Sequence, residues 1–198
     1  LPPLATLLSE YAPNRKLKRL ENEFSKLGGE FKRLKIELSD EYIHNDEIVF
    51  IVEKVVKCIA DNYAEEKLDR FRAILINTFL GIDIKQEEKE YYLNILIDLS
   101  ILEIRFLSFL SNPEKWAMDN KMKIDSEFRE GLDATDTLKN CFPEVNEDMM
   151  KSIIQTLNNR GLINYLHGGA LTSSRGLNIF KERFTEFGKR FMDFCTIK

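Results

Sequence analysis

Asn94, Asp98 and Arg105 are four and seven residues apart. On a helix they share one narrow stripe, and Glu103 points the opposite way. Carboxylates in an apolar setting are raw material for a tuned acid or base. More often they are satisfied ion pairs, and no nucleophile or second catalytic group can be placed beside these. The reading is therefore structural, and the chain is expected not to be an enzyme. A pocket lined by Asp98, Glu103 and Arg105 is the outlying alternative. Cys58, Cys141 and Cys195 are odd in number, far apart and without a CxxC pair. They are read as reduced, partly buried thiols of a cytoplasmic protein rather than a disulfide framework. His44 and His167 cannot join them in a zinc site at any familiar spacing. No metal and no cofactor is expected. The Gly168-Gly169 to Arg175-Gly176 stretch lacks the strand-GxxxxGK-helix setting of a phosphate loop and reads as a hairpin tip.

The elements that would hold these residues are helical. The chain has 198 residues, enough for one large or two small domains, and its 43% hydrophobic content supports a core. Five prolines and nine glycines leave room for long helices. A net charge of −4 argues against a globally basic nucleic-acid binder but leaves local basic patches open. No uninterrupted apolar run reaches the ~18 residues of a membrane span. The opening Leu1-Pro2-Pro3-Leu4 has no methionine and no basic leader, so it reads as the start of a trimmed fragment.

Leu17, Leu20, Phe24, Leu27, Phe31, Leu34 and Leu38 recur in steps of three and four. This is a heptad seam with Leu17 at a and Leu20 at d. In a parallel dimer Lys16 would face Glu21 of the second copy, and Glu30 would face Lys35. Gly28 and Gly29 oppose a stable coiled coil, at about 1 kcal/mol each, and the alternative is that the stripe packs on the protein's own body. Arg15, Lys18, Arg19, Lys26, Lys32 and Arg33 form a basic stripe on the outer face. A solvated face is the plain meaning, and a phosphate- or lipid-headgroup-binding stripe the sharper one. No aromatic residue interleaves with these charges, so base stacking is not expected.

Asn45 should cap a helix carrying Ile48 to Ile59. Asn62 with Glu65 suggests a capping box for a second helix, ended by Gly81. Asp83 with Gln86 opens a third, buried helix expected to run unbroken to about Leu110 and stop at Asn112-Pro113. Asp133 or Thr135 should cap a short helix ending at Cys141. Asn146 caps a helix from Glu147 to Asn159 with Met149, Met150, Ile153, Ile154 and Leu157 inside. Asn159-Arg160-Gly161-Leu162 is a Schellman stop. Leu162–Leu166 and Leu177–Phe180 read as two strands of a hairpin. Thr185 caps a last helix with Phe187, Phe191 and Phe194 inside.

From about Tyr91 onward this order resembles a winged helix. The residues that carry the likeness are Asn158-Asn159-Arg160-Gly161-Leu162-Ile163 and Phe184-Thr185-Glu186-Phe187-Gly188-Lys189-Arg190-Phe191, the latter similar to a T-x-x-G-x-x-F helix start. The layout of the whole chain, through Glu66-Lys67-Leu68-Asp69-Arg70-Phe71-Arg72 and Leu99 to Leu107, is similar to uncharacterised bacterial proteins of the abortive-infection alpha (Abi-alpha) type. That resemblance implies a role in phage defence or stress, without a known reaction.

The expected architecture is mainly α: an N-terminal helical, coiled-coil-prone region over 1–82, then a winged-helix-like domain with one small hairpin over 83–198. The expected function is a non-enzymatic regulatory or protein-interaction module. Its partner would be another protein or a second copy bound through the Leu17–Leu38 seam. The alternative is a DNA-binding regulator whose Lys151, Gln155, Asn158, Asn159 and Arg160 enter the major groove, with Arg175 on the wing. Glu144, Glu147 and Asp148 crowd the start of that helix and weigh against it. A membrane role would need an anchor upstream of the apolar Leu1–Leu8 stretch.

Overall fold

The computed structural model describes residues 12–37, 44–121, 134–164, 180 and 182–197. Among them the chain is mainly helical, with no strand. The helices are α1 (Ala12–Leu34), α2 (Asp46–Asp61), α3 (Glu65–Phe79), α4 (Gln86–Asp98), α5 (Ile101–Ser111), α6 (Pro113–Asp119), α7 (Ala134–Cys141), α8 (Glu147–Asn159) and α9 (Glu186–Phe194). No helix among these residues is long and apolar enough to cross a membrane.

The chain divides into two compact units, Leu1–Leu99 with Asp193–Lys198, and Ser100–Met192. The expected single helix from Asp83 to Leu110 is in fact α4 and α5. Leu99 leaves the helix with ψ 134°, and Ser100 starts a new one with a full capping box. The Ser100 hydroxyl accepts from the Glu103 amide, and the Glu103 carboxylate accepts from the Ser100 amide at 2.6 Å. A reciprocal box of this kind satisfies two donors that helix starts leave without partners. Glu103 is therefore a capping residue.

In the first unit α2 packs on α1, α3 and α4, and α3 also packs on α1 and α4. Asn45 caps α2 as expected, accepting from the amides of Glu47 and Ile48. The expected Asn62–Glu65 box does not form. Ala64 occupies the N-cap of α3 without a side-chain bond, and Asn62 instead donates back to the Cys58 carbonyl. Asp83 does not cap either; Lys85 holds that position at α4. The core is Ile51, Val55, Ile59, Phe71, Ile74, Leu75, Tyr92, Leu93 and Leu96, with Phe194 near the end of the chain.

Helix ends inside this unit are closed by long polar side chains. The Lys67 ammonium donates to the carbonyls of Ile97 and Leu99 at 2.7 and 2.9 Å, where α4 runs out of amide donors. The Asn77 amide donates to the carbonyls of Asp193, Phe194 and Thr196. Arg70 donates to the Cys195 carbonyl and the Thr196 hydroxyl. Carbonyls of a helix end need such donors once water is excluded. Burial pushes the Cys195 thiol up to about 12, against the opposing pull of Arg70, so it stays protonated and unreactive.

The second unit is built on aromatic rings. Phe109 meets Trp116, Phe142 and Phe180 with ring centroids 5.4, 5.8 and 5.0 Å apart, all edge to face. Phe106 adds a tilted contact to Phe142. Asn112 ends α5 and caps α6, with Pro113 at its first turn, so the expected stop holds. α8 runs from Glu147 to Asn159 under an Asn146 cap, as the sequence indicates. Gly161 has φ +71, and the Leu162 amide returns to the Leu157 carbonyl, which is the expected Schellman closure. Met149, expected inside, is 45% exposed.

The expected hairpin falls largely on residues 165–179, outside the described residues. What is described is one antiparallel bridge, Ile163 with Phe184. Phe180 is helical rather than extended. The T-x-x-G-x-x-F segment has a clear physical reason. Thr185 caps the start of α9 by accepting from the Gly188 amide, and its hydroxyl lies within bonding distance of the Gly161 and Leu162 carbonyls. A Cβ on Gly188 would stand 2.0 Å from the Leu162 oxygen, so only glycine fits.

Candidate functional site

The richest arrangement of exposed chemistry surrounds α1. Three charged groups fasten this helix to its own unit. Lys16 pairs with Asp61 at 2.5 Å, Arg19 donates to the Ala60 carbonyl at 2.6 Å, and Lys26 bridges Glu23 and Glu65 at 2.9 and 2.5 Å. The deepest link is Glu23, only 3% exposed, whose second oxygen accepts from Arg72. Arg72 also reaches Asp69 and Glu65. Burial lowers the Arg72 pKa without discharging it. The Lys16 ammonium holds the Asp61 carboxyl below the usual carboxylate range. Phe31 closes the far end of the helix against Phe79, edge to face at 5.4 Å.

This docking rotates the heptad seam. Leu20, Leu27, Phe31 and Leu34 are half-buried, whereas Leu17 and Phe24 are 58% and 46% exposed. Successive residues turn by about 100°, so Leu17, Glu21, Phe24 and Gly28 share one uncovered edge. A Cβ on Gly28 would meet nothing within 4 Å. Leu38 lies outside the described residues. The parallel pairings expected from sequence have lost one partner each, because Lys16 is held by Asp61 and Glu30 by Arg33. Glu21 and Lys35 have no partner among the described residues.

On the opposite flank α1 and the α2–α3 turn enclose an open groove with a cavity volume of about 470 Å³. Arg15, Lys18, Arg19, Asn22 and Lys26 line it from α1. Tyr63, 82% exposed, lines it from the turn. Sequence spacing missed this tyrosine, because it lies 37 positions beyond Lys26 and is brought alongside only by packing.

The other predicted site residues sit elsewhere. On α8, Lys151, Gln155, Asn158 and Asn159 are exposed on one polar face and Arg160 is half-buried at the C-cap. Lys151 pairs with Glu147 at 2.9 Å, which raises the lysine pKa and lowers the glutamate's. Arg175 lies outside the described residues. Asn94 is exposed and accepts from Lys54 at 2.7 Å. Asp98 and Arg105 are exposed on different helices, α4 and α5. Among the described residues no group of three His, Cys, Asp or Glu side chains is placed to hold a metal.

Comparison with protein-family models, with curated proteins and with solved structures finds no match.

Proposed function

We propose that this chain is a non-enzymatic interaction module that associates with a second copy of itself through the uncovered edge of α1. The observation that supports it most is Phe24, solvent-facing at 46% exposure on a helix that ion pairs hold in place. Because the helix is already ordered, covering that edge costs little further conformational entropy. The occupant is argued from charge. In an antiparallel pair centred on Gly28, each Glu21 lies opposite the Lys35 end of the other copy, and neither charge has a partner among the described residues. Such a two-fold pairing repeats each contact twice. The absent side chain of Gly28 lets the helices approach closely where they cross. The resemblance to abortive-infection alpha proteins directs this module toward phage defence or stress.

Sedimentation velocity over a range of concentrations tests the reading. The wild-type chain is expected to move from monomer to dimer as concentration rises. Phe24→Glu should hold it monomeric with its helix content unchanged. A chain that stays monomeric at every concentration removes the proposal.

A second reading is a winged-helix regulator that binds DNA through α8. The exposed polar face of Lys151, Gln155, Asn158 and Asn159 favours it, together with the Thr185–Gly188 closure against the Gly161–Leu162 turn. Glu147 and Asp148 stand at the start of the same helix and oppose phosphate approach. Under this reading Lys151→Ala with Arg175→Ala abolishes duplex binding, and unchanged affinity removes it.

A further inference from the structure

We infer that the groove between α1 and the α2–α3 turn binds a short segment of single-stranded nucleic acid, with phosphates on Arg15, Lys18 and Arg19 and one base on Tyr63. The lining carries four cationic side chains against two carboxylates, Glu23 and Glu65. Both carboxylates are taken up by Lys26 and Arg72. Arg15 and Lys18 have no partner among the described residues. Arg19 uses one nitrogen on the Ala60 carbonyl, and that bond fixes its stem beside the groove. The three cations follow one another along the helix within about 6 Å of rise, so they track a phosphate chain rather than a single anion.

Tyr63 decides among anionic ligands. Its ring is exposed in the groove wall and makes no contact with another ring among the described residues. An exposed aromatic beside a cationic track is the pattern that receives an unstacked base. A duplex keeps its bases stacked and cannot use the ring in this way. A lipid surface would need apolar side chains on the same flank to insert. The exposed apolar residues of α1, Leu17 and Phe24, lie on the other flank, about 160° around the axis from Arg15 in the case of Leu17. The overall charge of −4 opposes distant attraction, so binding must come from this local patch and must be strongly salt-dependent.

The experiment is fluorescence anisotropy of a short labelled oligothymidylate at several salt concentrations, with the full chain. Binding to the single strand is expected, with affinity falling by a log–log slope of about −2 for three phosphate contacts. Arg15→Gln with Lys18→Gln should reduce that slope by about 1.4. Tyr63→Ala should weaken binding by about tenfold and leave the slope alone. None of these three side chains takes part in docking α1, so circular dichroism of each variant should match the parent. The proposal is overturned if the single strand does not bind, if a duplex of equal length binds as well, or if Tyr63→Ala binds like the parent. It is overturned equally if only phosphatidylserine vesicles, and no oligonucleotide, are retained.

Discussion

The two units of this chain close their interiors by different means. The unit around α1 to α4 closes its helix ends with polar side chains, Lys67 on the end of α4 and Asn77 and Arg70 on the chain's last turn, and holds the middle of α1 with Arg72 on the buried Glu23. The unit around α5 to α8 closes with rings, Phe109 touching Trp116, Phe142 and Phe180. Rings interlock by shape and give an interior that tolerates salt and pH but not truncation. Polar closures accept changes of shape but fail when one partner is removed, because the other is left buried and unsatisfied. The first design also leaves α1 ordered yet half-covered, which is what a docking helix needs.

Mutations that break the contrast order themselves by size. Phe109→Ala should cost about 4 kcal/mol, because it opens a cavity that three rings cannot fill. Urea unfolding measures it, and a loss below about 1 kcal/mol would mean that the rings are not the closure. Gly188→Ala should cost about 3 kcal/mol, since the new methyl must displace the Leu162 carbonyl; thermal unfolding reads it. Lys67→Met keeps the stem and removes the ammonium, leaving two carbonyls without their donor. A loss of about 2 kcal/mol is expected.

The smallest effect sharpens the contrast through pH. The Asp61 carboxyl is held below its ordinary range by Lys16, so its contribution is present above the unfolded-state pKa. It fades as pH falls through the folded value. The group is half exposed, so the expected change on Asp61→Asn is within about 0.5 kcal/mol. It should appear near neutral pH and vanish in acid. An effect that persists at low pH would assign Asp61 some role other than its pair with Lys16.

Much of the helical plan was legible because its signals are local. Asn45 and Asn146 cap the helices they were expected to cap, Asn112-Pro113 marks the expected stop, and Gly161 takes the left-handed turn that its Schellman pattern required. The break at Leu99-Ser100 was written as plainly, as Ser100 followed three residues later by Glu103. Continuous apolar residues on both sides conceal it, and in that setting Glu103 reads as a lone charge rather than a cap. The Asn62–Glu65 signal misled in the opposite sense, because Glu65 is claimed by Lys26 and Arg72 from outside its own turn. The seam on α1 was visible as spacing, but its rotation was not. Spacing cannot tell which edge of a stripe meets the protein's own body, and that depends on Glu23 finding Arg72, 49 residues away. The groove needed Tyr63, which no periodicity links to the basic stripe.

The self-association of α1 is tested most directly by cysteine cross-linking at the expected crossing point. In a Cys58→Ser background, Gly28→Cys should oxidise readily to a covalent dimer, since the two copies meet there. Ser25→Cys, on the groove flank of the same helix, should not. A Gly28→Cys chain that stays monomeric under oxidation, or a Ser25→Cys chain that links equally well, would contradict the uncovered edge as the contact between copies.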